Sequence, residues 1–235
     1  DLRPATLQYE EGGGGRVSYA HGIHGGFTIA NAVTIENARS GSGNDSLTGN
    51  EAANRLESGL GDDTLAGLGG NDALVGGGGR DVMTGGDGGD SFIFLANSDS
   101  AVGARDTVTD FTRGSDRIDL GALNASAFIG SALFSGVAGQ VRYASFEGTT
   151  IVELDSNGDR LADFQLELTG AVPLGFGDFL GLESDGTAST GGGHGGGKKK
   201  ALLDNGWQRG EAQPANAQAA PSHDAMMVNQ YDYLM

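Results

Sequence analysis

From residue 40 to residue 93 the chain divides into six consecutive nine-residue units: SGSGNDSLT, GNEAANRLE, SGLGDDTLA, GLGGNDALV, GGGGRDVMT and GGDGGDSFI. Two columns stay in phase throughout. Position six holds Asp45, Asn54, Asp63, Asp72, Asp81 and Asp90, and position eight holds Leu47, Leu56, Leu65, Leu74, Met83 and Phe92. A flexible glycine linker has no reason to keep an oxygen-bearing column and an apolar column at fixed spacing, so the period reads as repeated structure.

The columns predict what one unit does. Its first six residues are small and glycine-rich, which suits a tight turn with positive φ at several positions. Its last three predict a very short strand whose middle residue points inward. Two units then complete one coil, and stacked coils pair their strands in parallel, burying column eight between two small sheets. The expected fold is all-β, a parallel β-roll whose stability is collective because a single coil buries almost nothing.

Turns alternate between the two edges of such a roll, so units two apart are neighbours. Asp45, Asp63 and Asp81 fall in one file, and Asn54, Asp72 and Asp90 in the other. Carboxylates stacked in this way repel each other unless a cation lies between them. Calcium fits, since it takes roughly six to eight oxygens at about 2.3–2.6 Å and glycine turns expose carbonyls beside each carboxylate. Magnesium demands stricter octahedral geometry, and zinc favours His or Cys, which these turns lack.

The rest of the composition agrees with a cation as guest. Thirty-one acidic residues against 14 basic ones give a net charge of −17, which repels nucleic acid and anionic membrane surfaces. Cysteine is absent, so neither disulfides nor thiolate metal sites arise. No run approaches the roughly 20 apolar residues of a membrane span, and no basic, apolar leader opens the chain. Starting at Asp1 without a methionine, it reads as a piece of something longer.

The nonapeptide resembles the calcium-binding repeat of RTX (repeat-in-toxin) proteins. Around it, "DLRPATL", "RVSYAHG", "VTIENARSGSGND", "ARDTVTDFTRGSDRIDL" and "SNGDRLADFQLELTG" resemble the C-terminal domain of serralysin-type secreted metallopeptidases, over roughly residues 1 to 184. The resemblance implies calcium ligands position by position. Side chains of Asp45, Asn54, Asp63, Asp72, Asp81 and Asp90 would bind, with carbonyls from positions two and four. These are Gly41 and Gly43, Asn50 and Ala52, Gly59 and Gly61, Leu68 and Gly70, Gly77 and Gly79, and Gly86 and Gly88. Leu68 stands where the family has glycine. The Thr34 carbonyl and Glu36 would complete the first site, making Glu36 a cap for Asp45, and Asp106 would close the last. Asn54 in place of aspartate lowers the charge of its site but keeps an oxygen. The extra stretch "IHGGFTIAN" interrupts the approach to the roll.

The catalytic half of such peptidases carries H-E-x-x-H-x-x-G-x-x-H, which this sequence lacks. Of its four histidines, His21 and His24 lie in a glycine-rich loop, and His194 and His223 lie far downstream. The chain itself therefore reads as non-catalytic and without zinc, and the resemblance implies a zinc metalloendopeptidase as its parent.

Residues 95–184 read as a β-rich cap that covers the open end of the roll. "RIDL", "VRYASF", "TTIVEL" and "DFQLEL" are strand-like, as is "SFIF" at 91–94 where the roll ends, and "LGALNASAF" is a short helical candidate. Asp155, Asn157, Asp159 and Asp163 have the spacing of a calcium loop, but no glutamate stands at the twelfth position and Gly158 is misplaced. A hairpin turn is the preferred reading. The expected organisation is then residues 1–39 as a connection to a missing upstream domain, 40–94 as the roll, 95–184 as the cap, and 185–235 as a flexible tail. That tail holds all three lysines and ends in "DYLM", which resembles the terminus of type I (ABC-transporter) secretion substrates.

Charge and metal linkage suggest the function. The repeats carry nine acidic residues against two arginines, so the metal-free chain is disfavoured as a folded roll. Calcium is scarce in the cytosol and near millimolar outside, which predicts a module that is unfolded for type I export and folds extracellularly to support its attached catalytic domain. Two alternatives share the roll: an R-module of a secreted alginate epimerase-like polysaccharide-modifying enzyme, and a segment of a cell-surface adhesin.

Overall fold

The computed structural model describes residues 1–3 and 34–183. The histidine-bearing stretch "IHGGFTIAN", His21, and everything from residue 184 onward, including His194, His223 and "DYLM", lie outside the described residues.

The roll is laid down strand by strand. β1 (Asn37–Arg39), β2 (Ser46–Thr48), β3 (Arg55–Leu60), β4 (Thr64–Gly69), β5 (Ala73–Gly78), β6 (Val82–Asp87) and β7 (Ser91–Ile93) go alternately to two sheets, with β1, β3, β5 and β7 in one and β2, β4 and β6 in the other. All neighbours pair in parallel at an eighteen-residue offset, for example Leu47↔Leu65, Leu65↔Met83 and Leu56↔Leu74. The offset follows from two nine-residue units per coil, and it stacks column eight on itself. Leu56, Leu65, Leu74, Met83 and Phe92 are all 0% exposed. Each such side chain contributes about 1.5–3 kcal/mol by leaving water. No single unit owns more than one of them, which is why the coils must fold together.

Two features differ from the sequence reading. The strands β3 to β6 are six residues long, not three, because parallel pairing resumes at positions two and three of the next unit, past a bend at which position two takes a positive φ. Close stacking there requires glycine: a Cβ on Gly59 would lie 2.0 Å from the Gly41 carbonyl oxygen. The repeat also begins earlier. Residues 37–39 pair with β3 as Asn37↔Arg55 and Ala38↔Leu56, so Glu36 and Ala38 occupy columns six and eight of an additional unit.

Past residue 93 the same two sheets continue at stretched spacing. β8 (Asp106–Val108) joins β6 with Met83↔Val108, and β9 (Arg117–Asp119) joins β7 with Phe92↔Ile118. Three antiparallel strands, β11 (Gln140–Phe146), β12 (Thr149–Asp155) and β13 (Phe164–Thr169), then extend the second sheet, with β13 parallel to β8. Outermost are β10 (Ala127–Phe128) beside β11 and β14 (Phe179–Leu180) beside β9. The roll's last strands therefore have partners in place of open edges, and the aromatic pair Phe94 and Phe164, 4.9 Å apart edge to face, joins the two regions. The helix expected over "LGALNASAF" does not form. Asn124 turns the chain with a φ of 57° and residues 127–128 become β10, a stretch too short and too rich in breakers to hold a helix.

Candidate metal centre

Each turn of the roll brings a column-six carboxylate back beneath the next coil. Along one edge the Asp45 amide donates to Asp63 Oδ1 at 2.7 Å, the Asp63 amide to Asp81 Oδ1 at 2.9 Å, and the Asp81 amide to Asp106 Oδ1 at 2.8 Å. Along the other, the amides of Asn54, Asp72 and Asp90 donate to Oδ1 of Asp72, Asp90 and Asp116 at 2.7, 2.8 and 3.0 Å. Both files anticipated from the period are present, and each runs one residue further. Asp106 was expected; Asp116 was not. A local signature survives where the nine-residue period is lost, since Asp106-Thr-Val108 and Asp116-Arg-Ile118 repeat the Asp-x-apolar pattern of the units.

In Asp63, Asp72, Asp81, Asp90 and Asp106 one oxygen is thus engaged, and the other decides what the edges can do. Oδ2 of Asp45, Asp63, Asp72, Asp81, Asp90 and Asp106 is buried without a hydrogen-bond partner. Burying an acceptor in this way costs about 1–3 kcal/mol for each neutral group and more for a charged one. Ion pairs do not offset it: the arginine pairs among the described residues use Asp1, Glu57, Glu167, Asp178 and Glu153. Burial pushes the carboxyls of Asp72, Asp81 and Asp90 up to about 6, against the pull of the amide each accepts. Asp106 is pushed up to about 8, by burial first and then by the charges of Asp81, Asp99 and Asp62.

These orphaned oxygens fit a hard cation. The Asp72 Oδ2 and the Gly85 carbonyl lie 2.1 and 2.5 Å from the point a Cβ on Gly67 would take, so glycine at position one keeps that cradle open. Oδ2 of Asp81 and of Asp90 stand likewise 2.3 and 2.2 Å from the Cβ points of Gly76 and Gly85. Among the described residues no three His, Cys, Asp or Glu side chains cluster, so a site here has to combine single carboxylates with main-chain carbonyls. The set is all oxygen, which suits calcium and not zinc.

The expected carbonyl positions also stack. Gly41, Gly59 and Gly77, and Gly43, Gly61 and Gly79, superpose along the first edge, where a Cβ on Gly77 or Gly79 would lie 2.0 or 2.1 Å from the carbonyl oxygen one coil earlier. On the second edge Leu68 and Gly86 stack in the same way, as do Gly70 and Gly88, at 2.0 and 1.8 Å. Leu68 holds the glycine conformation, with a φ of 81°. Glu36 is exposed, and its carbonyl accepts the Arg55 amide at 2.8 Å. This register sets Glu36, with Thr34 just before it, on the edge of Asn54, opposite Asp45, which corrects the pairing of Glu36 with Asp45. The reason is arithmetic: residue 36 lies eighteen before 54 and only nine before 45. At Asn50, Ala52 and Asn54 the turn is held by side-chain amides, with the Asn50 amide donating to Asn54 Oδ1 at 2.7 Å.

In the cap, Asp155, Asn157, Asp159 and Asp163 form the turn between β12 and β13. Both Asp155 oxygens accept main-chain amides, from Gly158 at 2.6 Å and Arg160 at 2.9 Å, and Asp163 accepts from Ser156 and Asn157.

Residues 12–180 match the family model described as peptidase M10 serralysin C terminal. The chain is 44% identical over 158 residues to the metallopeptidase AprA of Pseudomonas marginalis, covering 65% of this chain and 31% of that protein. It is 43% identical over 149 residues to a serralysin of Photorhabdus luminescens, covering 63% of this chain and 28% of that one. It therefore spans less than a third of the length of these curated relatives. Among solved structures, the solution structure of the AlgE6R2 subunit of the Azotobacter vinelandii mannuronan C5-epimerase aligns with a TM-score of 0.51 at 27% identity, covering 63% of this chain and 94% of that one. Among the described residues no helix is long and apolar enough to cross a membrane.

Proposed function

The chain belongs to the peptidase M10 serralysin C-terminal family, and from that premise we propose that it is a calcium-folded module that supports an attached metallopeptidase domain outside the cell. The observation that carries this reading is the set of six buried carboxylate oxygens with no donor. In this reading Asp45, Asp63, Asp81 and Asp106 are ligands along one edge and Asp72 and Asp90 along the other. In the same reading the carbonyls of Gly41, Gly43, Gly59, Gly61, Leu68, Gly70, Gly77, Gly79, Gly86 and Gly88 are the main-chain ligands. Bound calcium supplies the positive charge that these turns otherwise lack. The chain's own contribution is to hold neighbouring coils together through Oδ1 and to leave Oδ2 free of competing donors.

Sites of the weak extracellular kind, with Kd of about 10⁻⁴–10⁻³ M, contribute only about 1 kcal/mol each at millimolar calcium, but several act on one cooperative fold. Inside a cell they would be empty and the stacked carboxylates would favour the unfolded chain, which suits export through type I machinery. Outside, the roll would fold. In this reading the attached catalytic domain would correspond to the part of such relatives that this chain does not span. Far-UV circular dichroism through a calcium titration tests the proposal. A cooperative gain of β signal is expected, and a signal that chelator leaves unchanged overturns it.

The likeness to an epimerase subunit favours a second reading, a roll that positions an anionic glycan. Arg39 and Arg55, the basic groups on the outer face of β1 and β3, both lean on Glu57, at 3.6 and 2.7 Å. One glutamate shared by two arginines leaves a single net positive charge on this face, against six buried carboxylate oxygens without a donor, so the first reading is the better supported. Titration with alginate oligomers separates the two.

A further inference from the structure

Residues 49–54 form a turn on the second edge that differs from those after it. In the four later units, positions two and four take the left-handed backbone, at Gly59 and Gly61, Leu68 and Gly70, Gly77 and Gly79, and Gly86 and Gly88; Asn50 and Ala52 do not. We propose that the Asn50–Asn54 pair is a protein-built clasp that takes the place of a cation in this turn, so that calcium loading on this edge begins one coil later, between Asp72 and Asp90. The inference rests on the calcium reading above and narrows where the ions go.

The clasp and the next turn can be compared atom for atom. Asn54 Oδ1 and the Gly67 carbonyl lie 2.2 and 2.4 Å from the Cβ point of Gly49, matching Asp72 Oδ2 and the Gly85 carbonyl at 2.1 and 2.5 Å from that of Gly67. Position is conserved while chemistry is inverted. Asp72 Oδ2 has no donor, whereas Asn54 Oδ1 accepts the Asn50 amide at 2.7 Å. On the preceding side, Asn54 Nδ2 donates to the carbonyls of Ile35 and Glu36, both at 3.3 Å, and Asn50 Nδ2 donates to that of Ile35 at 2.8 Å. These side-chain N–H groups stand between the carbonyls, where a cation would have to sit, and their positive ends repel it.

The far end of the same edge is sealed in a similar way. Asp116 Oδ2 accepts the amide four residues before it, Thr112, at 2.7 Å, as Asn54 does from Asn50. Asp72 and Asp90 are left as the open carboxylates between two closed ends. A neutral amide with its donors and acceptors satisfied is far cheaper to bury than an unpaired carboxylate, so the clasp forms without metal. It also reaches the start of the chain: Asn50 Nδ2 donates to the Leu2 carbonyl at 3.2 Å, while the Leu2 amide donates to that of Thr48 at 2.7 Å. The clasp is thus a calcium-independent turn that ties Leu2 and Ile35 to the roll.

Anomalous scattering from crystals of the unsubstituted protein grown in calcium locates the ions, and native mass spectrometry of the same protein and of Asn54→Asp counts them. Expected are ions beside Asp72 and Asp90 and along the Asp45 edge, none flanking residues 49–54, and one additional ion in Asn54→Asp. An ion coordinated by Asn54 overturns the clasp and leaves the calcium reading standing, as does an unchanged count in a folded Asn54→Asp. Should that variant fail to fold, the crystal of the unsubstituted protein decides alone. No ion anywhere on the roll defeats the calcium reading and the clasp with it.

Discussion

Asp81 in the roll and Asp155 in the cap are both 0% exposed, yet their surroundings have little in common. Asp155 has an amide on each oxygen, from Gly158 and Arg160, within a hairpin turn that closes on itself. Asp81 has one amide, from Asp63, and its other oxygen faces no donor. The contrast shows two ways to bury a carboxylate. A local turn can bend its own backbone around the charge, whereas a stacked coil has its amides committed to the parallel ladder and must take compensation from outside. Sequence spacing alone makes the Asp155 loop look like a calcium site; the hydrogen bonds show that it already has what a cation would give.

Removing calcium should widen that contrast most. With chelator, amide hydrogen exchange is expected to rise first across residues 41–93 and to stay slower in the antiparallel strands at 140–169; uniform exchange would make the two regions one unit in their calcium dependence. Acidification should act next. A carboxyl whose folded pKa lies above its unfolded value favours the folded state when protonated. The metal-free roll is therefore most stable below about pH 4 and loses that contribution as pH rises through about 6 for Asp72, Asp81 and Asp90 and about 8 for Asp106. Thermal melts in chelator should accordingly rise on going from pH 8 to pH 5, while melts in calcium should fall as protons displace the ion.

Substitution separates the two aspartates directly. Asp81→Ala should cost about 1–2 kcal/mol more in millimolar calcium than in chelator, the stabilisation of the one or two sites that would lose a ligand. Asp155→Ala should cost about 1–3 kcal/mol in both, since it strands two amides whatever the metal. Equal calcium dependence of the two variants, measured by urea unfolding, would falsify the division. The smallest effect belongs to Leu68, held at a φ of 81°. Leu68→Gly should stabilise the roll by about 1 kcal/mol by removing left-handed strain, less the apolar contact it gives up.

Much of this was legible because the roll is periodic. Column eight named the buried residues from Leu47 to Phe92, and column six named both files of carboxylates, because two units per coil turn a sequence period into a spatial one. The cap strands at 140–146, 149–155 and 164–169 were readable from alternation. The helix at "LGALNASAF" was misread because a few apolar residues at helical spacing do not outweigh Gly121 and Asn124 in a stretch that short.

What the sequence determined by itself was the repeat, its two columns and the all-oxygen character of the turns, since these depend only on spacing and residue type. What only the tertiary structure decided was where each file ends. Asp106 and Asp116 join after 25 and 26 residues in place of eighteen, and Glu36 falls on the Asn54 edge. Whether a turn is open to a cation is likewise a matter of which amides reach its oxygens. The Asn50 amide reaches Asn54 and none reaches Asp72 Oδ2, a difference that arises from the backbone path of each turn and that residue spacing does not encode.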